Sequence, residues 1–176
     1  MVKASSAAGW RDTLRRPTFW VVLVMLLTFM YLQWPTRDRT PPPIDYLFVE
    51  APPGLMLAWE AEPDYLAEGG TEVWALSRAR MEFLVQRGTL NQPLSQLAEQ
   101  AMENDRQRVN GSIREPLSRH QGQYQYSLED MESRLQHHRL FELDGHWVKV
   151  SALYRSQNDE HASRAAVFFD SITEQP

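Results

Sequence analysis

Residues 19–32 read FWVVLVMLLTFMYL, and only Thr28 interrupts the apolar run. Taken from Arg15 to Trp34 as a helix rising 1.5 Å per residue, the stretch spans about 30 Å, the thickness of a bilayer's hydrocarbon core. Its apolar residues go all the way round the helix, whereas a core helix concentrates them in one stripe. Trp20 lies near one end, with Tyr31 and Trp34 near the other, as interfacial aromatic residues do. The residues that follow are bulky and end in Pro35, where a signal peptidase needs small ones, so the segment reads as retained. Lys3, Arg11, Arg15 and Arg16 precede it, against Arg37 and Arg39 beyond it. The positive-inside rule then places the amino terminus in the cytoplasm and the bulk of the chain in a bacterial periplasm. The expected organisation is a basic cytoplasmic leader (1–14), a transmembrane helix (15–34), a proline-rich and acidic linker or arm (35–70) and a periplasmic domain (71–176). The lipid bilayer of the inner membrane is its first expected partner.

From Pro35 onward the chain carries 14 basic and 22 acidic residues, a balance that repels a phosphate backbone and excludes general nucleic-acid binding. Cysteine is absent, which removes disulfides, thiolate zinc sites and cysteine nucleophiles. It also excludes a lipid-bearing cysteine near the amino terminus.

Residues 35–63 hold seven of the eleven prolines, and Pro41 to Pro43 favour a stiff polyproline II spacer. Within this region IDYLFVE (44–50) and GLMLAWE (54–60) read as extended arms, packed on the domain or on a neighbour. The acidic run that follows offers Glu60, Glu62, Asp64, Glu68 and Glu72 as carboxylates for a hard cation. Their spacing matches no calcium loop, and a solvated loop is the simpler reading.

A first helix is expected from Thr71 to Gly88, with Val73, Trp74, Leu76, Met81, Leu84 and Val85 on one arc at 100° per residue. A second is expected from Pro93 to Asn110-Gly111, with Asn91 as a candidate cap. Its stripe is Leu94, Leu97, Ala98 and Ala101, and its other face is the charged ENDRQR. The polar SRHQGQYQY reads as a loop or frayed strand displaying Tyr124 and Tyr126. Ser127 then precedes a short helix bearing Leu128, Met131 and Leu135, with Asp130 in a capping-box position. Two strands flank Asp144-Gly145, the favoured type I′ hairpin dipeptide. RAAVFFDSI (164–172) reads as a third strand. Helices followed by antiparallel strands make an α+β domain, with helices packed on one face of a curved antiparallel sheet.

No catalytic motif emerges: there is no nucleophile elbow and no glycine-rich phosphate loop. His137, His138 and His146, with Asp144, are the best candidate metal ligands, but adjacent histidines on a helix diverge by 100° and do not readily share one ion. The expectation is therefore no catalytic residue, no metal and no cofactor. Trp74, Met81, Tyr124, Tyr126 and Trp147 are the candidate interaction residues, with Trp74, Met81 and Trp147 lining any pocket.

The order of basic leader, single span, proline-bearing linker, long helices and closing sheet resembles the TraE-like inner-membrane subunits of type IV secretion and conjugation machinery. The local echoes are LAEQAMENDRQRVN (97–110), similar to that family's charged second helix, and HWVKVSALYRSQND with RAAVFFDS, similar to its closing strands. The resemblance implies a nuclear-transport-factor-like α+β fold and a non-catalytic assembly role through self-association and contacts with other envelope subunits. Two other readings remain open. One is a solitary anchored binding, sensor or assembly-factor domain with a pocket, and the other is an anchored hydrolase.

Overall fold

The computed structural model describes residues 44–155 and 157–174. The leader and the expected transmembrane helix, residues 1–34, lie outside them. Ten strands and two helices form among the described residues, in the order β1 (Leu47–Glu50), β2 (Leu55–Trp59), β3 (Asp64–Glu68), β4 (Thr71–Arg78), β5 (Met81–Thr89), α1 (Leu94–Val109), β6 (Ser112–His120), β7 (Gln123–Glu129), β8 (Arg134–Leu143), β9 (His146–Arg155), α2 (Asp159–Asp170) and β10 (Thr173–Glu174).

Seven strands form one antiparallel sheet ordered β3-β4-β5-β9-β8-β7-β6, and β1-β2-β10 form a small second sheet. Period-two alternation decides which residues each face of the large sheet receives. Met81, Phe83 and Val85 of β5 lie on one face with Val148, Val150 and Ala152 of β9 and Phe141 and Leu143 of β8. That core is closed by Leu55, Leu57 and Trp59 of β2 and by Ala165, Phe168 and Phe169 of α2. The Phe168 ring packs against Trp59 at 5.0 Å and Phe83 at 4.8 Å between centroids. On the opposite face Tyr126, Leu128, His138, Leu140, Lys149 and Ser151 are buried, and α1 packs over β6, β7 and β8. Central strands with both faces buried lose the simple in/out contrast that marks a half-exposed strand.

The expected fold class is therefore corrected. The domain is predominantly antiparallel sheet, with a helix on one face and a helix plus a small sheet on the other, and not helices packed on one face of a curved sheet. Residues 71–89 are the β4–β5 hairpin where a helix was expected. The arc of Val73, Trp74, Leu76, Met81, Leu84 and Val85 competes with the alternation Met81, Phe83, Val85, and the latter wins because those three are buried in the core under α2 and the small sheet while Glu82 between them is exposed. The turn gave no warning, since Ala79 (φ 49°) and Arg80 (φ 64°) take the left-handed positions that asparagine and glycine usually fill. Residues 128–135 likewise form no helix. They end β7 and turn at Asp130, whose carboxylate accepts from the Glu132 N–H at 2.8 Å and the Arg134 N–H at 2.9 Å, an Asx-type turn. The expected strand at 164–172 is instead largely α2. Asn158 caps it by accepting from the backbone N–H groups of Glu160 (3.0 Å) and His161 (3.2 Å), and His161, Arg164, Ala165, Phe168 and Phe169 form its buried stripe.

Other expectations match the structure. α1 follows Pro93 and closes on Asn110 in the left-handed conformation, although Asn91 is not its cap. The Asp144-Gly145 hairpin joins β8 and β9. The expectation for SRHQGQYQY, by contrast, is corrected: it is neither a loop nor a frayed strand but a paired hairpin turning at Gln121-Gly122, with Tyr126 buried. The extended segments at 44–60 pack on this same chain, as β1 and the deeply buried β2.

Both described helices are amphipathic, and among the described residues no helix is long and apolar enough to cross a membrane. The expected single-pass inner-membrane placement, with a cytoplasmic amino terminus and a periplasmic domain, is corrected to this extent: no described helix supplies a span, and residues 15–34 lie outside the described residues.

Gly88 in β5 shows how tight the second face is. A Cβ there would sit 2.6 Å from the Trp147 ring, which lies against the glycine backbone. Gly88→Ala is expected to destabilise the domain by about 1–3 kcal/mol through overpacking. In a Trp147→Ala background the same change should cost little, and urea unfolding of the four-member cycle reads the coupling directly.

Candidate functional site

Asp105 continues the buried stripe of α1, lying seven residues after Ala98, and therefore enters the sheet-facing side of the helix. Its Oδ2 accepts from Lys149 Nζ of β9 at 2.5 Å and from the Tyr126 hydroxyl of β7 at 2.6 Å, and Oδ1 accepts from Arg108 at 3.0 Å. His138 of β8 stacks on Tyr126 with 4.7 Å between centroids, shares a 2.8 Å hydrogen bond through Nδ1 with Ser151, and holds Nε2 3.8 Å from the Asp105 carboxylate. Side chains from three strands, β7, β8 and β9, thus meet under one helix, and of the six all but Arg108 are buried.

Burial disfavours the charged form of Asp105, but Lys149 and His138, with hydrogen bonds from Lys149 and Tyr126, outweigh it and lower the carboxyl pKa. Burial lowers the Lys149 ammonium pKa, and Asp105 resists that shift. Burial, then the neighbouring Asp105 charge, raises the Tyr126 hydroxyl. His138 is pushed down to about 3 by burial and by Lys149, so it is neutral at ordinary pH. A neutral histidine, a lysine and a carboxylate are familiar catalytic types. Here the lysine and the tyrosine each donate a hydrogen bond to the carboxylate, so the group clamps α1 to the sheet. A second clamp ties α2 to the end of β2: Arg164 grips the Glu60 carboxylate with Nε at 2.6 Å and Nη2 on the other oxygen.

That second clamp removes Glu60 from the imagined cation site. Glu72 pairs with Arg87 at 3.5 Å and accepts from the Tyr65 hydroxyl at 3.1 Å, while Asp64 and Glu68 end an exposed strand. Among the described residues no cluster of three or more histidine or acidic residues is placed to hold a metal. His137 and His138 point to opposite faces, the first stacking on Tyr154 and the second on Tyr126. His146 lies apart, beside Arg87 at 3.3 Å.

The candidate interaction residues separate in the same way. Trp74 and Met81 are buried on the face under α2 and the small sheet. Trp147, Tyr124 and Tyr126 belong to the α1 face, so Trp74, Met81 and Trp147 do not line one pocket. Tyr126 is a clamp residue, Tyr124 is half-buried under Arg119 at 5.5 Å, and Trp147 edges a cleft beside α1 with Asp105 and Lys149. Sequence reasoning missed Asp105 and Lys149. The available signal was a carboxylate in phase with Leu94, Ala98 and Ala101, and a lysine inside an apolar strand.

A different cleft, of about 500 Å³, opens where α1 ends, between the β4–β5 turn and the adjoining ends of β8 and β9. Arg80, Arg108, Arg134 and Arg155 line it with Glu82, Glu132 and Gln136 over Leu84, Val109 and Leu153. The outermost strands of the large sheet, β3 and β6, are almost wholly exposed.

No family model and no curated protein matches the chain. Among solved structures it is similar to cyanobacterial PsbP (CyanoP) from Synechocystis sp. PCC 6803, with a TM-score of 0.50 and 12% identity over 69% of this chain and 87% of that one. At that identity the likeness describes the fold alone: a PsbP-like, sheet-rich domain.

Two outcomes test the clamp. Lys149→Met leaves the buried Asp105 carboxylate with only the exposed Arg108 as its cation, and should cost about 3 kcal/mol in denaturant unfolding. Acidification should also destabilise the protein in a defined window. His138 has a depressed folded-state pKa, so the unfolded chain binds the extra proton as pH falls below the ordinary histidine value of about 6.5. Stability is therefore lost from there down to about 3, where folded His138 titrates. The unfolding midpoint should fall across that interval, and His138→Gln should flatten the slope.

Proposed function

We propose that this chain is a non-catalytic interaction domain that acts as an assembly subunit through protein–protein contacts. The supporting observation is the difference between the two edges of its large sheet. At one edge, β6 carries Pro116, Arg114, Glu115 and Arg119, and its pairing with β7 shifts register between Ile113 and Glu115 and again between Glu115 and Ser118. Proline, charge and irregular pairing are the features by which sheets prevent unwanted strand addition.

The other edge has neither a proline within the strand nor a register shift, and its two charges, Asp64 and Glu68, stand at its ends. β3 pairs in unbroken register with β4, from Asp64 opposite Ala75 to Glu68 opposite Thr71, and among the described residues nothing pairs with its outer side. Its middle is Tyr65-Leu66-Ala67. Tyr65 rests against Trp74 at 5.2 Å between centroids, and Leu66 stays 59% exposed. A regular, unpaired edge with an apolar middle suits addition of an extended segment from a partner protein, with backbone hydrogen bonds supplying affinity and the exposed side chains specificity. Self-association through the same edge and contact with subunits of a secretion or conjugation machine are the particular forms of this proposal.

A photo-reactive amino acid placed at Leu66 of the full-length chain, expressed in its own cells, tests it. Cross-linked adducts to a protein partner are expected from position 66 and not from Ser118 on β6, and mass spectrometry of the adduct separates a second copy of the chain from secretion subunits or other proteins. A folded protein that gives no adduct at position 66 overturns the reading.

A further inference from the structure

The arginine-lined cleft is built against the grain of the sheet. Arg134 and Arg155 stand directly opposite each other on β8 and β9, on the same face as the Gln136–Leu153 pair beside them. Like charges in that relation destabilise a sheet. Arg134 is held by Asp130 at 2.7 Å and Arg108 by Asp105 at 3.0 Å, but Arg155 and Arg80 have no carboxylate partner among the described residues. Arg80 reaches the cleft from a left-handed backbone position, a conformation that a side chain makes costly. At the wall, Gln136 is buried to 3% exposure, and its Oε1 has no hydrogen-bond partner among the described residues.

We infer that this cleft binds an acidic segment of a protein partner. Arginine forks match carboxylates in a bidentate fashion, and Arg155 and Arg80 are the two left to do so. A peptide also brings backbone N–H groups, one of which satisfies the orphaned Gln136 oxygen. Leu84, Val109 and Leu153 give the floor an apolar strip for the segment's other side chains. The open, charged rim differs from the enclosed and mostly apolar pockets that small ligands occupy. Glu82 and Glu132 on the same rim disfavour a densely charged phosphate. The cleft thus deepens the protein-interaction reading and rests on it.

The test is fluorescence anisotropy of a labelled peptide of alternating glutamate and leucine, titrated with the full-length chain. Binding is expected to weaken with added salt, to vanish for the glutamine counterpart, and to fall about tenfold with Arg155→Ala. Arg80→Gly should weaken binding similarly while raising the melting temperature, because glycine relieves the left-handed turn position. A variant that folds better and binds worse separates lost recognition from misfolding. Arg114→Ala, on β6 outside the cleft, should leave affinity unchanged. Unchanged affinity in both cleft variants, equal binding of the glutamine peptide, or displacement of the peptide by an equal concentration of inorganic phosphate would overturn the inference. If Leu66 adducts persist while the cleft variants bind normally, the cleft fails and the interaction domain stands.

Discussion

Burial of both faces of β9, and of β8 where it pairs with it, is the constraint on which the rest of the domain depends. A sheet covered on one side needs only one apolar set of residues per strand. Here one set meets α2 and the small sheet, and the other meets α1. The second set is not wholly apolar: Lys149, Ser151 and His138 occupy positions where the alternation runs inward under the helix. Their polarity has to be satisfied locally, because a buried donor or acceptor without a partner costs about 1–3 kcal/mol. Asp105 does this for Lys149 and Tyr126 together, and Ser151 does it for Nδ1 of His138.

The two buried ion pairs serve attachment more than net stability. A well-packed apolar replacement of a buried pair is often no less stable, whereas removing one partner is severe. Each pair joins a helix to strands remote in sequence, Asp105 to Lys149 on one face and Arg164 to Glu60 on the other. The pairs therefore specify where each helix docks along a face whose apolar contacts alone are tolerant of sliding. With both faces occupied, contact with other molecules falls to what is left over: the edges and the ends of the sheet. The regular β3 edge and the arginine-lined cleft beyond the end of α1 are such places, and each keeps a local feature that folding alone does not require.

Local signals in the chain made α1 and the β8–β9 hairpin legible. Pro93 and Asn110-Gly111 bracket a long polar-apolar stripe, and Asp144-Gly145 is a turn that needs no tertiary help. Where the turn chemistry is atypical, the reading failed. Ala79-Arg80 turns without glycine, so an amphipathic arc stood in for a hairpin, and Val167-Phe168-Phe169 resembled a strand despite the Asn158 cap ahead of it. The candidate residues fared according to whether their partners were local. Tyr126 is important for a reason visible only when Asp105, twenty-one residues earlier, is brought beneath it. Arg80, Arg108, Arg134 and Arg155 are unremarkable singly and form a cleft only because four separate elements end together.

By itself the sequence determined the acidic balance, the absence of thiol chemistry, one helix with its limits and one hairpin with its turn. These are properties of composition or of contacts within a few residues. Only the tertiary structure decided that the chain from Leu47 onward is mostly sheet, which face each aromatic residue joins, and which charges are buried in pairs. Period-two and period-3.6 patterns coincide over short apolar runs, and the choice between them is made by what packs on the other side.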